Sequence, residues 1–377
     1  MTPGIATAHS THPDTSTALD EVAAGLSLDS AAFTLLLHGP NHTGNTLESH
    51  LEKLTGGQVF GCSTSGEIVP SGYCENSLAA ICFDRAVFTC VSRKIDRVGQ
   101  FGFQQAKDLV LSMQRELRES VPQPDSSNTF ALLLIDSMSQ AEEMVVAALG
   151  NELGTIHLVG GSSGDNWQVA RTPVLYQGKI IGDSAVVLLV HSKLDFRHYN
   201  FHNFMASDKR GVITAATPAR RLVHEINGVK AVEEYARLCS ISEDALVQEI
   251  LAMHPAIITV GDRPYPRGFM QILKDGSLQS ACAIDEGVVF RVPTQLDYVG
   301  QLKEAFARMR QELGEQLLVL GFECAGRKQL VQQKQLEAEV FALFSENNVW
   351  GFSCMGEQSN SINMNHSFNC LAFKLPS

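Results

Sequence analysis

Apolar positions along this chain come in short unbroken runs set between polar loops. Phe33-Thr34-Leu35-Leu36-Leu37, Phe130-Ala131-Leu132-Leu133-Leu134-Ile135 and Leu317-Leu318-Val319-Leu320 are each bounded by turn formers, as expected of buried strands. A polar loop follows, and then apolar residues at helical spacing, such as Met144, Ala147 and Ala148, or Leu336, Val340 and Leu343. That spacing predicts a helix packed along one face. A Gly/Ser-rich strand end and a further strand complete the unit. Repeated strand-helix-strand-strand units predict an α/β fold of layered mixed sheets with packed helices.

The Gly/Ser-rich end is itself repeated. Val59-Phe60-Gly61-Cys62-Ser63-Thr64-Ser65-Gly66-Glu67 recurs 290 positions later as Val349-Trp350-Gly351-Phe352-Ser353-Cys354-Met355-Gly356-Glu357. The register then holds without a gap, with Ser71 on Ser361, Ser77 on Ser367 and Phe83 on Phe373, giving eight identities over 25 positions. Val159-Gly160-Gly161-Ser162-Ser163-Gly164-Asp165 is a more divergent third copy. Self-similarity of this kind marks an internal repeat, and the two closer copies should be structurally equivalent, each a strand end turning into an antiparallel strand.

Between the second and third copies the pattern changes. Residues 231–238 and 244–253 read as helical, residues 257–260 and 281–284 as strands, and Leu302–Leu313 as an amphipathic helix. With 377 residues the chain exceeds what one hydrophobic core spans, so two modules are expected. The division is residues 1–30 as a flexible N-terminal tail, polar and rich in Thr, Ser and His, then 31–228 and 229–377.

A net charge of −12 argues against nonspecific nucleic-acid or anionic-membrane binding, and no run approaches the ~20 apolar residues that span a bilayer. Nine cysteines with no C-x-x-C spacing, several inside apolar strands, argue against disulfide or zinc frameworks and for a cytoplasmic setting. The start has neither a basic segment nor an apolar core of the kind a signal peptide needs.

Candidate chemistry is sparse. The G-x-S-x-x-G-E spacing differs from the G-x-S-x-G nucleophile elbow, and no His stands at matching offsets from Ser63 and Ser353, so a non-enzyme is expected. A serine hydrolase using either serine is the remaining catalytic reading. Gly160, Gly161, Ser162 and Ser163 sit at a strand end where a ligand can approach closely, but the segment lacks the Lys-Ser/Thr of a phosphate loop. Arg327 follows a strand and a Cys-Ala-Gly turn, where its fork suits a ligand carboxylate in a crevice at the strand's carboxyl end. The alternative is a structural pair with Glu323 or Glu337. Arg220-Arg221 stands at helical spacing from Glu225 or forms a patch for an acidic partner.

Several segments resemble the FIST family: Gly61–Glu67, Gly160–Asp165, Glu225–Gly228, Glu234–Arg237, His254-Pro255, Ala283–Gly287, Cys324–Arg327 and Gly356–Gln358. They run from about residue 33 to the C-terminus in family order. The resemblance implies a small-ligand sensor with an N-terminal and a C-terminal FIST module, and the ligand is expected in the cleft that pseudo-repeated modules form at their interface. It also implies signalling to a histidine kinase or to a diguanylate cyclase or phosphodiesterase, with a homodimer as one possible assembly. Stand-alone members of this length resemble the NosP group of haem-containing nitric-oxide sensors, which makes haem the implied cofactor and an amino acid or small carboxylate the alternative ligand. His254 matches the family pattern in place. Two positions depart from it: Asn203 stands where the family carries a His, with His202 one residue off, and Asn363-Met364-Asn365-His366-Ser367 replaces a His-Val-Asn-Gln-Thr pattern. His254 and His202 are the leading candidate iron ligands, with His366 a third, and Arg327 suits a propionate.

Overall fold

This computed structural model describes residues 4–26, 28–51, 58–168, 170–251, 253–261 and 263–376. Unit 1 comprises β1 (Ile5–Ser10), α1 (Thr15–Ala24), β2 (Ala31–His38), α2 (Asn45–His50), β3 (Gln58–Ser63), β4 (Glu67–Val69), β5 (Gly72–Cys74) and β6 (Leu78–Asp84). Unit 2 repeats this plan with β7 (Phe88–Asp96), α3 (Phe103–Ser120), β8 (Thr129–Ile135), α4 (Glu142–Leu153), β9 (His157–Ser162), β10 (Val174–Tyr176), β11 (Lys179–Ile181) and β12 (Ser184–Ser192). Unit 3 opens with β13 (Phe196–Phe201) and is then interrupted.

The interruption contains β14 (Phe204–Thr217), β15 (Leu222–Ile226), β16 (Val229–Lys230), α5 (Ala231–Cys239), α6 (Gln248–Leu251), β17 (Ala256–Val260), β18 (Arg263–Arg267), β19 (Phe269–Ile272), β20 (Leu278–Ser280) and β21 (Val289–Gln295). These strands form one eight-stranded antiparallel sheet, the inserted sheet. Asn227-Gly228 is the turn between β15 and β16, so this sheet crosses that point of the sequence. Unit 3 resumes with α7 (Tyr298–Leu313), β22 (Leu317–Cys324), α8 (Ala325–Gln333), α9 (Glu337–Glu346), β23 (Val349–Cys354), β24 (Glu357–Ser359), β25 (Ile362–Met364) and β26 (Phe368–Lys374).

Each unit builds a six-stranded sheet, but none completes it alone. The orders are β1-β6-β2-β3-β10-β11, β7-β12-β8-β9-β24-β25 and β13-β26-β22-β23-β4-β5. The last two strands of each sheet are a hairpin lent by another unit: β10–β11 of unit 2 pairs with β3, β24–β25 of unit 3 with β9, and β4–β5 of unit 1 with β23. The loan is cyclic. A ring of backbone hydrogen bonds closes it, from Ser65 N–H to Ser353 O (2.9 Å), Gly164 N–H to Ser63 O (3.0 Å) and Met355 N–H to Ser162 O (3.1 Å).

The sheets face inward around a shared core that includes Phe33, Phe60, Phe83, Phe130, Phe322, Phe352 and Phe373. The repeated phenylalanines Phe83 and Phe373 meet there, ring centroids 6.3 Å apart. Helices cover the outer faces, α1 and α2 over unit 1, α3 and α4 over unit 2, and α7 to α9 over unit 3. The strands are thus buried on both faces, which is why they read as unbroken apolar runs.

Several expectations change. Residues 4–26 are not a loose tail, because β1 pairs antiparallel with β6 and α1 buries Ala18, Leu19 and Val22. Asp14 caps α1 by accepting from Thr17 N–H at 2.9 Å. This polar segment is the edge strand and first helix of unit 1, and an edge strand needs apolar residues at few positions. Residues 281–284 are not a strand. Met144 is 49% exposed, and α4 packs through Val145, Val146, Ala148 and Leu149 instead. Arg221 lies in a turn and not on a helix, so it pairs with Glu142 (2.6 Å) and Glu143 (2.8 Å) and not with Glu225.

Candidate functional site

After Phe201 the chain leaves unit 3 for the inserted sheet, so β13 remains an edge strand. β18 of the inserted sheet and the turn joining β24 to β25 stand over that edge and leave a groove of about 800 Å³. Both modules contribute to it. His157, His198 and His202 line it with Arg263 and Arg308, alongside Tyr199, Phe201 and Tyr265. No carboxylate is among its described lining residues.

Burial decides the charge of these imidazoles. His198 is pushed down to about 4 by desolvation, against a hydrogen bond to Asn369 Oδ1 that acts the other way. Desolvation also lowers His202, and the nearby Arg327 guanidinium adds to the effect. Both rings are therefore neutral near pH 7, the form in which imidazole binds metals. His202 Nδ1 accepts from Phe204 N–H at 3.4 Å. His157 Nδ1 is 3.2 Å from Asn360 Oδ1, so it donates to that oxygen and Nε2 keeps the lone pair. Arg308 is anchored by Glu312 at 2.7 Å, which also accepts from Tyr199 Oη.

The other predicted site residues lie elsewhere. His254 follows α6 and is not among the groove's lining residues, its carbonyl accepting from the Tyr235 hydroxyl. Arg327 is 1% exposed. It contacts Glu323 (3.3 Å) and Asn203 Oδ1 (3.0 Å) and lies over the Tyr298 ring at 4.4 Å. Glu323 in turn accepts from Tyr73 (2.6 Å) and Tyr298 (2.7 Å). Of its two readings, the pair with Glu323 is the one formed. The departures at Asn203 and His366 converge here, since Asn203 binds Arg327 and His366 stacks edge-on with Phe204 at 5.8 Å.

Gly160, Gly161, Ser162 and Ser163 are buried in the seam between units and are not among the groove's lining residues. A Cβ at Gly160 would come 2.0 Å from the Leu133 carbonyl oxygen, and the equivalent Gly61 and Gly351 would meet Leu36 O at 1.7 Å and Gly321 O at 1.8 Å. The repeated glycine thus permits close approach of parallel strands. Ser162 Oγ accepts from Gln358 (2.9 Å), and Ser163 Oγ donates to Thr172 O (2.5 Å). Ser63 Oγ donates to Pro173 O at 3.3 Å, and Ser353 Oγ is buried without a partner among the described residues. Neither hydroxyl makes a hydrogen bond to an imidazole among the described residues, although His38 stands opposite Ser63 in the β2–β3 pairing.

The repeated glutamates face neither ligand nor solvent. Glu67 accepts from Thr64 Oγ1 (2.5 Å) and from Ser77, and Glu357 accepts from Ser367 N–H (3.0 Å) and Oγ (2.7 Å). This explains why Ser77 and Ser367 stay in register with the motif. Sequence reasoning missed His157, His198, Arg263 and Arg308. Only β13 carried a signal, in the period-two alternation of His198, Asn200 and His202.

A ring of three α/β units with one inserted sheet, and a groove at the seam of two sequence modules, defines a class of two-module α/β proteins. The chain belongs to the FIST family: the FIST N domain matches residues 32–229 and the FIST C domain residues 231–360. FIST domains are small-ligand sensor domains. An uncharacterised protein of Methanocaldococcus jannaschii is 23% identical over 305 residues, covering 76% of this chain and 58% of the relative, so the chain spans less than two thirds of that relative's length. A crystal structure of cyanuric acid hydrolase from A. caulinodans aligns over 99% of both chains with a TM-score of 0.40 and 9% identity. No described helix is long and apolar enough to cross a membrane.

Proposed function

We propose that the protein is a haem-based nitric-oxide sensor, in which the groove over β13 would take the haem, His157 would hold the iron and Arg263 and Arg308 would pair with the propionates. The lining carries this reading: imidazoles, guanidinium groups and aromatic rings around about 800 Å³. Ligand pockets run from roughly 300 to 1,000 Å³, so the groove suits an extended planar ligand better than a single amino acid. Haem iron held by a histidine supplies the site that takes up a diatomic gas. His157 is disposed as ligating histidines are, with one ring nitrogen donating to an oxygen that fixes the tautomer. His254 has no part in this reading, and His202 shapes the groove wall.

Ligand binding changes output only by its differential affinity for two conformations. The groove is walled by both modules, so a ligand there biases their arrangement and, through it, a cytoplasmic histidine kinase or cyclase/phosphodiesterase partner. The test is absorption spectroscopy of the purified protein titrated with haemin. A saturable Soret band that shifts on adding nitric oxide is expected. His157→Ala should weaken haemin binding at least tenfold, and Arg263→Ala several-fold. If haemin does not bind saturably, or His157→Ala leaves the spectrum unchanged, the assignment fails. Thermal stabilisation by small carboxylates without haemin would then support the amino-acid reading.

A further inference from the structure

A second cavity lies away from the groove, at the carboxyl ends of β8, β9, β22 and β23, roofed by β19, β20 and the residues flanking them. Its outer chamber is about 270 Å³, and a contiguous inner space of about 30 Å³ shares Trp167, Met270, Ala281 and Met355 with it. We propose that this crevice is a second ligand site, for an uncharged planar heterocycle of about one ring system.

Four observations carry the inference. Charge comes first: the chamber's charged side chains are Arg221 and Glu142, paired at 2.6 Å, so a charged ligand would find no unpaired counter-ion. Second, flat and polarizable surface is left uncovered, with Trp167 39% and Met138 45% exposed beside Met270 and Met355. Trp167 also holds a left-handed backbone at φ +65, next to Asn166 at +54. That conformation is unfavourable for a bulky residue and is maintained only by its surroundings. Third, Gln140, Gln271 and Gln279 line the chamber and present both amide donors and acceptors, which match the edge of a heterocycle. Fourth, the inner end carries His366, 4% exposed, whose Nδ1 has no hydrogen-bond partner among the described residues. A buried polar atom without a partner is uncommon and calls for an explanation such as a bound group. The inner space holds about one water, so the ligand ring occupies the outer chamber and reaches His366 through a substituent or a single water. An outer chamber below the roughly 300–1,000 Å³ of drug-sized pockets limits the ligand to a small ring.

The test uses the full-length protein with uracil and adenine as probes and benzoate and benzylamine as charged controls. Binding is read by calorimetry and by tryptophan fluorescence. The chain has two tryptophans, and Trp350 is only 6% exposed, so a Trp167 signal is separable. Saturable binding of at least one nucleobase, at least tenfold tighter than either control, is expected. Trp167→Ala and Gln271→Ala should each weaken it at least fivefold, with haemin titrations and melting temperature unchanged. His366→Asn, which keeps the left-handed backbone accessible, should weaken it as well. Absence of saturable nucleobase binding, equal binding of the charged controls, or binding indifferent to both Trp167→Ala and Gln271→Ala would overturn the proposal. The haemin titration is independent of these outcomes, so failure here leaves the groove assignment standing.

Discussion

Glu357 is fully enclosed, and burial lifts its carboxyl from an ordinary 4.5 to about 8, against hydrogen bonds from Ser367 that pull the other way. Glu67 shifts in the same direction from the same first cause. The consequence for Glu357 can be measured. Below pH 4.5 folded and unfolded chains both hold the proton; between 4.5 and about 8 only the folded chain does. Stability from this residue therefore falls as pH rises through that window, by about 1.4 kcal/mol per pH unit. Glu357→Gln keeps the shape and cannot ionise. Its stability relative to wild type should climb steadily from pH 5 to pH 8 in urea denaturation, and a constant difference would show that Glu357 is already ionised in the fold. Arg327 makes the complementary point: a guanidinium that suits a ligand carboxylate is held instead by Glu323, Asn203 and the face of Tyr298.

Among elements, the parallel strand pairs set the tightest constraint. A side chain at Gly160 would run into the backbone of β8 at 2.0 Å, whereas Gly99 has open space around it. Overpacking in a closed core typically costs about 1–3 kcal/mol and occasionally more. Gly160→Ala should accordingly lower the melting temperature by many degrees and Gly99→Ala hardly at all, as differential scanning fluorimetry would show; equal effects would remove the close-packing explanation. The motif was legible in the sequence because Gly61 and Gly351 answer the same constraint. The paired runs around Leu35, Leu132 and Val319 were legible because both their faces are buried. The lent hairpins were not. β4 has three residues, and its partner β23 lies some 280 positions away, so neither period nor proximity marks the pairing. β1 and α1 were hidden by their polar composition, and the groove by being assembled from short pieces of five separate segments. Only His202, at its wall, was anticipated.

At the scale of the molecule, cyclic lending makes the three sheets one cooperative object. A fragment of residues 1–192 keeps every strand of units 1 and 2 but loses β23, which hairpin β4–β5 needs, and β24, which covers β9. Such a fragment should show slowed-exchange amides in the sheet of unit 1, which is complete, and little protection along β9, when measured by hydrogen exchange. Uniform protection across both units would show that the loans are dispensable. The same exchange of hairpins is a head-to-tail contact that closes after three steps, the rule by which rings of identical subunits assemble. Nothing in that closure requires the units to be joined covalently. A single unit of this plan, as a separate polypeptide, already carries both halves of the contact and would find its missing hairpin only on another copy of itself. The present chain carries the contact pattern of a three-membered ring on one polypeptide, and its third member holds the inserted sheet between β13 and α7 without interrupting the exchange.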